Sequence, residues 1–132
     1  MEVPTKEHIE VHTLSGGVTW LGEDGILYSI VEANKTSLDT TKENFEYIKK
    51  LVNGRRVCSI VESSKLQPLD SETLEYYKGE LSKVYKAMAV VTNNAWGRMI
   101  ANLLLGLTNQ AYPTKIFGTV EEAQNWIAQY ND

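Results

Sequence analysis

The 132-residue sequence is poor in cysteine, histidine and proline, with one, two and three copies. A single cysteine, Cys58, excludes an internal disulfide and a zinc site built from several thiolates. The longest apolar-rich stretch, residues 96–107, is far shorter than the roughly 20 residues that span a bilayer. Residues 1–10 lack the apolar core of a secretory signal. We therefore expect one cytoplasmic domain over residues 1–132 without a membrane span, in which residues 1–7 form an N-terminal extension.

Positive charge is also scarce. The chain has 13 Lys and Arg against 17 Asp and Glu, which gives a formal net charge of −4. Binding to a phosphate backbone needs concentrated cationic surface. The three tryptophans and seven tyrosines are not interleaved with basic residues, as a base-stacking surface would require. The sequence predicts no nucleic-acid partner.

The short motifs of common catalytic sites are missing. Gly16, Gly17, Gly22 and Gly25 do not fit G-x-G-x-x-G, no Gly-Lys-Ser/Thr follows a strand, and G-x-S-x-G does not occur. Cys58 lies inside an apolar run, whereas a reactive thiol needs an electropositive, partly exposed setting. We predict a buried Cys58, no catalytic residue and no cofactor.

His8, Glu10 and His12 are of the residue types that form a two-histidine, one-carboxylate metal site. The alternation with Ile9 and Val11 favours a strand, in which the two histidines lie about 13 Å apart. That separation is too large for both to bind one ion, although a helix would allow it. We predict no metal site.

Apolar and β-branched runs predict six strands. The second and third flank a turn at Gly22–Gly25, where an Asp-Gly pair is typical of a hairpin. The predicted strands are His8–Thr13, Val18–Leu21, Ile26–Val31, Arg56–Val61, Ala87–Thr92 and Thr114–Phe117.

Four helices alternate with the later strands. The first has Thr40-x-x-Glu43 as a capping box, with Asp39 as a competing cap, and ends at Asn53-Gly54. The others start within Pro68–Glu72, at Asn93-Asn94 and at Thr119, and the third extends to about Leu107. This order predicts an α/β fold with a mixed sheet: an N-terminal antiparallel hairpin followed by βα units.

Several segments resemble small bacterial STAS-like proteins, which have the anti-sigma-factor-antagonist fold and are related in architecture to CRAL-TRIO domains. The segments are Trp20-Leu21-x-Glu23-Asp24-Gly25-Ile26, Asn102-x-x-x-Gly106, Tyr112–Phe117 and Glu122-Ala123-x-x-Trp126-Ile127. The resemblance implies a non-enzymatic regulatory or protein-interaction module. The alternatives are a carrier of a small apolar or lipid ligand, by analogy with CRAL-TRIO domains, and an enzyme whose site is assembled from distant residues.

The same resemblance implies a phospho-acceptor at Asp70-Ser71, because phosphorylated STAS domains have such a pair at the start of the helix after a central strand. The usual continuation is a small hydroxyl residue and glycine, whereas this sequence has Glu72 and Thr73. The alternative is structural, since Asp and Ser are preferred helix N-caps.

The predicted third helix has more apolar residues than one core-facing stripe needs. Leu105 falls opposite the main stripe, and the small residues Gly97 and Ala101 lie four apart, where a neighbouring backbone can approach. Together with Trp96, these residues predict a surface for a ligand or a protein partner. A homodimer is the expected form, because two-fold self-association is the commonest oligomer.

Overall fold

The computed structural model describes residues 11–14, 17–31, 37–63, 65, 69–95, 97–99 and 112–131. Six strands form one mixed sheet in which the spatial order equals the chain order. The strands are β1 (Val11–Leu14), β2 (Gly17–Leu21), β3 (Leu27–Val31), β4 (Val57–Glu62), β5 (Tyr85–Val91) and β6 (Thr114–Phe117). The helices are α1 (Leu38–Leu51), α2 (Ser71–Val84) and α3 (Val120–Ile127), followed by a 3₁₀ turn at Ala128–Tyr130. Ala95 and residues 97–99 are also helical.

The sheet changes from antiparallel to parallel at β3. β1, β2 and β3 pair antiparallel, whereas β3, β4, β5 and β6 pair parallel. In the turn between β2 and β3, the Gly22 N–H donates to the Ile26 carbonyl at 2.8 Å and Gly25 has a φ of 83°. The predicted fold class, with its opening hairpin and βα units, is confirmed.

α1 and α2 cover one face of the parallel strands. Their inner side chains pack against alternate residues of β3, β4 and β5 because side chains alternate between the faces of a strand. The buried residues of this first core are Leu27, Phe45, Ile48, Val52, Val57, Leu81, Val84, Tyr85, Met88, Val90 and Tyr112. Thr41 of α1 is buried on the same inner face.

α3 covers the opposite face. Cys58, Ala87 and Ala89 point to this side with no exposed surface, and their small size lets Ala123 and Ile127 of α3 pack directly on the sheet. The predicted burial of Cys58 is confirmed. Among the residues that the structure describes, no helix has both the length and the apolar character needed to cross a membrane.

The predicted start of α1 is three residues late. The N-cap is Ser37, whose Oγ accepts from the Thr40 N–H at 3.2 Å, while the Ser37 N–H donates to Thr40 Oγ1 at 3.0 Å. Thr40 therefore takes the reciprocal position of the capping box, which Glu or Gln usually occupies. The predictions of Thr40 or Asp39 as the N-cap were wrong. The Thr40 hydroxyl accepts the hydrogen bond from the Ser37 N–H that a Glu or Gln side chain usually accepts, so Ser37 can be the cap.

The junction between α2 and β5 also differs from the prediction. α2 ends at Val84 and β5 begins at Tyr85 with no intervening loop, two residues before the predicted strand. The described part of the first strand is Val11–Leu14, and His8 to Glu10 lie outside the described residues. So do residues 100–107 of the predicted third helix.

Candidate functional site

The carboxyl ends of β4, β5 and β6 meet at one edge of the sheet because these strands are parallel. After β4 ends, the Ser63 N–H donates to the Val91 carbonyl at 2.9 Å. After β5 ends, the Thr92 N–H donates to the Phe117 carbonyl at 3.0 Å. Three connections thus leave the sheet side by side. Side chains from these connections are therefore close to one another at this edge.

A cleft of about 490 Å³ opens between these connections. We call it the carboxyl-edge cleft. It is lined by Glu62, Lys65, Val91, Asn93, Asn94, Gly118, Thr119 and Val120. Its volume lies within the roughly 300–1,000 Å³ typical of pockets for small molecules.

Helix starts hold two of the lining side chains in place. Asn94 Oδ1 accepts from the Gly97 N–H at 2.6 Å, which caps the helical segment that begins at residue 95. Thr119 caps α3: its Oγ1 accepts from the Glu122 N–H at 3.2 Å and donates to Glu122 Oε1 at 3.0 Å. Capping fixes Asn94 and Thr119 before any ligand arrives, which lowers the entropic cost of binding.

The cleft offers charges of both signs as well as neutral hydrogen-bonding groups. Glu62 contributes a half-buried carboxylate, Lys65 an exposed ammonium group and Asn93 an exposed carboxamide. None of the described lining residues is a histidine or cysteine, and the Thr119 hydroxyl is bonded to a carboxylate of its own helix. These groups can recognise a ligand by hydrogen bonds and charge.

The model of the family described as "Domain of unknown function (DUF7793)" matches residues 19–131. The chain belongs to the DUF7793 family. The matched range includes all of the described residues that line the cleft, from Glu62 to Val120. Among solved structures, a similar one is the crystal structure of a protein with unknown function from Arthrobacter sp. FB24. The two sequences are 19% identical, the match covers 97% of this chain and 98% of the other, and the TM-score is 0.32. Among curated proteins, none matches this DUF7793 chain.

Asp70 and Ser71 begin α2, as predicted. Asp70 is the N-cap and its Oδ1 accepts from the Thr73 N–H at 2.8 Å, while Ser71 is the first helical residue and is exposed. Neither residue lines the cleft of the DUF7793 domain. The cap is thus observed, and phosphorylation of Ser71 stays a prediction.

The cap makes the stability of α2 depend on pH. The Thr73 N–H bond holds the pKa of Asp70 below its ordinary value. Such a carboxylate stabilises the fold above its unfolded pKa of about 3.9, and the contribution is lost as the pH falls through the lower folded value. We expect Asp70→Ala to lower the melting temperature at pH 7 and this deficit to shrink below about pH 4.

A matched control is Asp39→Ala, which removes an acidic residue from the first turn of α1 that has no capping role. Thermal unfolding of both variants at neutral and acidic pH checks the prediction. A deficit for Asp70→Ala that is equal at both pH values, or equal to that of Asp39→Ala, would contradict it.

Of the predicted partner surface, only Gly97 is described. It is buried, and its N–H donates to Asn94 Oδ1. Trp96, Ala101 and Leu105 lie outside the described residues, so this surface stays a prediction.

Of the three candidate metal ligands in the first predicted strand, His8, Glu10 and His12, the structure describes only His12. His12 is half-buried, and its ring lies 4.6 Å from that of Tyr47. His8 and Glu10 lie outside the described residues. Within the described ranges, no three His, Cys, Asp or Glu side chains are grouped so as to hold a metal ion.

The residues of the cleft were missed by sequence reasoning, although a signal for them exists. Glu62 ends β4, Asn93 and Asn94 follow β5, and Thr119 follows β6. Polar residues directly after successive parallel strands are brought together by the topology. Because they lie more than 20 residues apart along the chain, no short motif contains them.

Proposed function

We propose that this chain is a non-enzymatic regulatory module that binds a small polar molecule in the carboxyl-edge cleft. The observation that supports the proposal is the lining of the cleft. Glu62, Lys65, Asn93, Asn94 and Thr119 come from three successive connections and place donors, acceptors and both charge signs around one space. A ligand that carries both hydrogen-bond donors and an anionic group fits this lining.

The two alternatives fit the cleft less well. A carrier of an apolar ligand needs an apolar lining, whereas only Val91 and Val120 of the eight described lining residues have large apolar side chains. An enzyme of the nucleophilic classes needs a base beside its nucleophile. The Thr119 hydroxyl does contact the Glu122 carboxylate, but the same hydroxyl caps α3, which favours a structural role for this pair. We therefore place binding ahead of catalysis.

The regulatory part of the proposal rests on Ser71 and on the resemblance to STAS-like proteins. Ser71 is exposed at the start of α2, where a modifying enzyme can reach it. A phosphate there meets the positive end of the helix dipole, which stabilises it by about 0.3–1 kcal/mol. It also meets repulsion from Asp70 and Glu72. Because the effects oppose each other, the modification would alter partner binding more than the fold.

A thermal-shift screen tests whether the cleft binds a small polar molecule. We expect polar metabolites that carry both an amino or hydroxyl group and a carboxylate or phosphate to raise the melting temperature, and fatty acids to leave it unchanged. A ligand at a hundred times its Kd stabilises by about 2.7 kcal/mol. The cleft variant is Gly118→Leu, because a Cβ at Gly118 meets only Glu122 Oε1, at 3.9 Å.

The matched control is Gly79→Leu, which adds the same side chain at an exposed glycine of α2 with no atom near its Cβ. Gly118→Leu should abolish the shift and Gly79→Leu should preserve it. A shift with fatty acids alone, or none with any polar compound, would overturn the proposed ligand class. Turnover of a bound compound that Gly118→Leu abolishes would overturn the non-enzymatic assignment.

A further inference from the structure

A second, smaller cavity lies at the opposite edge of the sheet, where β4 and β5 begin. It has a volume of about 190 Å³ and lies between the carboxyl ends of α1 and α2. Its lining residues are Lys49, Val52, Gly54, Arg55, Lys83 and Val84. We call it the amino-edge pocket.

The amino-edge pocket is bordered by more positive than negative charge. Lys49 Nζ pairs with Glu80 Oε2 at 2.8 Å, and Lys83 Nζ lies 3.8 Å from the other oxygen of the same carboxylate. Arg55 donates from Nε to the Val52 carbonyl at 3.1 Å and has no ion pair among the described residues. One carboxylate thus serves two of the three cations, and Arg55 is left without one among the described residues.

The surrounding chain extends this imbalance. Residues 46–56 and 80–86 contain six Lys and Arg but only two carboxylates, Glu46 and Glu80, in a protein with a net charge of −4. Arg56 is fixed at the junction of α2 and β5, since its Nη2 donates to the Tyr85 carbonyl at 3.0 Å. Four of these six cations lie within residues 49–56, and folding brings Lys83, 28 residues after Arg55, to the same pocket.

Helix electrostatics account for part of this pattern. Lysines in the last turns of α1 and α2 complement the negative ends of the helix dipoles. That effect does not require a cavity between the cations, nor the buried Val52 and Val84 that line it. A cavity bordered by several cations, one of them an arginine, suits an anionic group.

The size and lining of the pocket identify the class of its occupant. A volume of about 190 Å³ is below the range of whole-ligand pockets and suits a single side chain. None of the described residues that line it is aromatic, so they offer no surface on which a nucleobase would stack. Val52 and Val84 are 1% and 2% exposed and form only the floor of the pocket. A ligand is therefore held mainly by the cations, and a guanidinium binds a carboxylate through two parallel hydrogen bonds.

We propose that the amino-edge pocket docks an acidic segment of a partner protein, with the carboxylate of one glutamate side chain on Arg55 and Lys83. This contact is independent of the carboxyl-edge cleft at the other end of β4 and β5.

Fluorescence anisotropy with a fluorescein-labelled hexaglutamate peptide tests the proposal. We expect saturable binding that weakens as salt is added, because the contacts are partly exposed. The double variant Arg55→Gln, Lys83→Gln should weaken binding by about a hundredfold, which is about tenfold for each charged contact removed. Arg55→Lys keeps the charge but loses the bidentate geometry, so it should weaken binding by a smaller factor.

The matched control is Lys42→Gln, Lys115→Gln, which removes the same charge at residues that do not line the pocket. Circular dichroism verifies that each variant is folded. Equal losses in both double variants would show a net-charge effect and overturn the proposal, as would an Arg55→Lys variant that binds like the wild type. Tighter binding of duplex DNA or of vesicles of anionic lipid than of the peptide would also overturn it.

Discussion

Replacing Leu27 with alanine should lower the free energy of unfolding by about 3–5 kcal/mol. Leu27 begins β3, has no exposed surface and belongs to the core between the sheet and the helices α1 and α2. Truncation removes apolar contacts and leaves a cavity that surrounding strands fill only in part. Because natural domains are stable by about 5–15 kcal/mol, this is a large share of the total. Urea unfolding of both proteins measures the difference.

Two further variants calibrate this result. Leu27→Met conserves volume and should cost less than about 1.5 kcal/mol. Met99→Ala truncates a side chain that is 53% exposed and should change stability by no more than about 0.5 kcal/mol. If Leu27→Ala cost no more than Leu27→Met, the first core would be less tightly packed than the structure shows.

Raising the pH above 10 should unfold the protein steeply. Burial raises the pKa of Tyr28 and of Tyr112 to about 12, and burial with the neighbouring Tyr77 and Tyr112 raises that of Tyr85 further. Their contribution to stability is complete below the unfolded pKa of about 10 and is lost as the pH rises towards the folded values. Three such groups remove roughly 4 kcal/mol per pH unit. Tyrosinate absorbance and far-UV circular dichroism should change together.

The contribution of each tyrosine to alkaline unfolding can be measured by removing one hydroxyl at a time. The Tyr112 hydroxyl is buried and has no hydrogen-bond partner among the described residues. The nearby Thr114 hydroxyl donates to the main-chain carbonyl of Tyr112 and not to its side chain. Tyr112→Phe should therefore keep its stability at pH 7 and unfold at a higher pH than the wild type.

Tyr28→Phe gives the contrasting result. The Tyr28 hydroxyl donates to Asp24 Oδ2 at 2.8 Å, so this variant should lose about 1–2 kcal/mol at neutral pH. Unfolding above pH 10 that neither variant changes would show that these tyrosines do not control the alkaline transition.

The fold was predictable because its local signals agree with one another. Gly25 in the turn between β2 and β3 has a positive φ, and so do Asn53 and Gly54 at the end of α1. Glycine and asparagine are the residue types that favour a positive φ, so the sequence indicated both positions. Boundaries were less predictable where two hydroxyl residues compete for one role, as Ser37 and Thr40 do at the start of α1.

The two cavities were not predictable from local patterns. The carboxyl-edge cleft joins Glu62, Asn93 and Thr119, and the amino-edge pocket joins Lys49, Arg55 and Lys83. Each set becomes neighbours only through strand register and helix packing, which depend on contacts across the whole sheet. Isolated Asn, Lys or Thr residues near the ends of elements also have ordinary capping roles, so the sequence does not distinguish the two uses.

The agreement between strand order and chain order has a consequence for synthesis on the ribosome. Each strand pairs with the one made immediately before it, from β1 and β2 to β5 and β6. The sheet can therefore grow by one strand at a time as the chain emerges, without a loop that waits for a distant segment. The amino-edge pocket needs only residues up to Val84, whereas the carboxyl-edge cleft needs Thr119 and Val120. The two ends of the sheet thus mature in sequence, and the cleft is completed last.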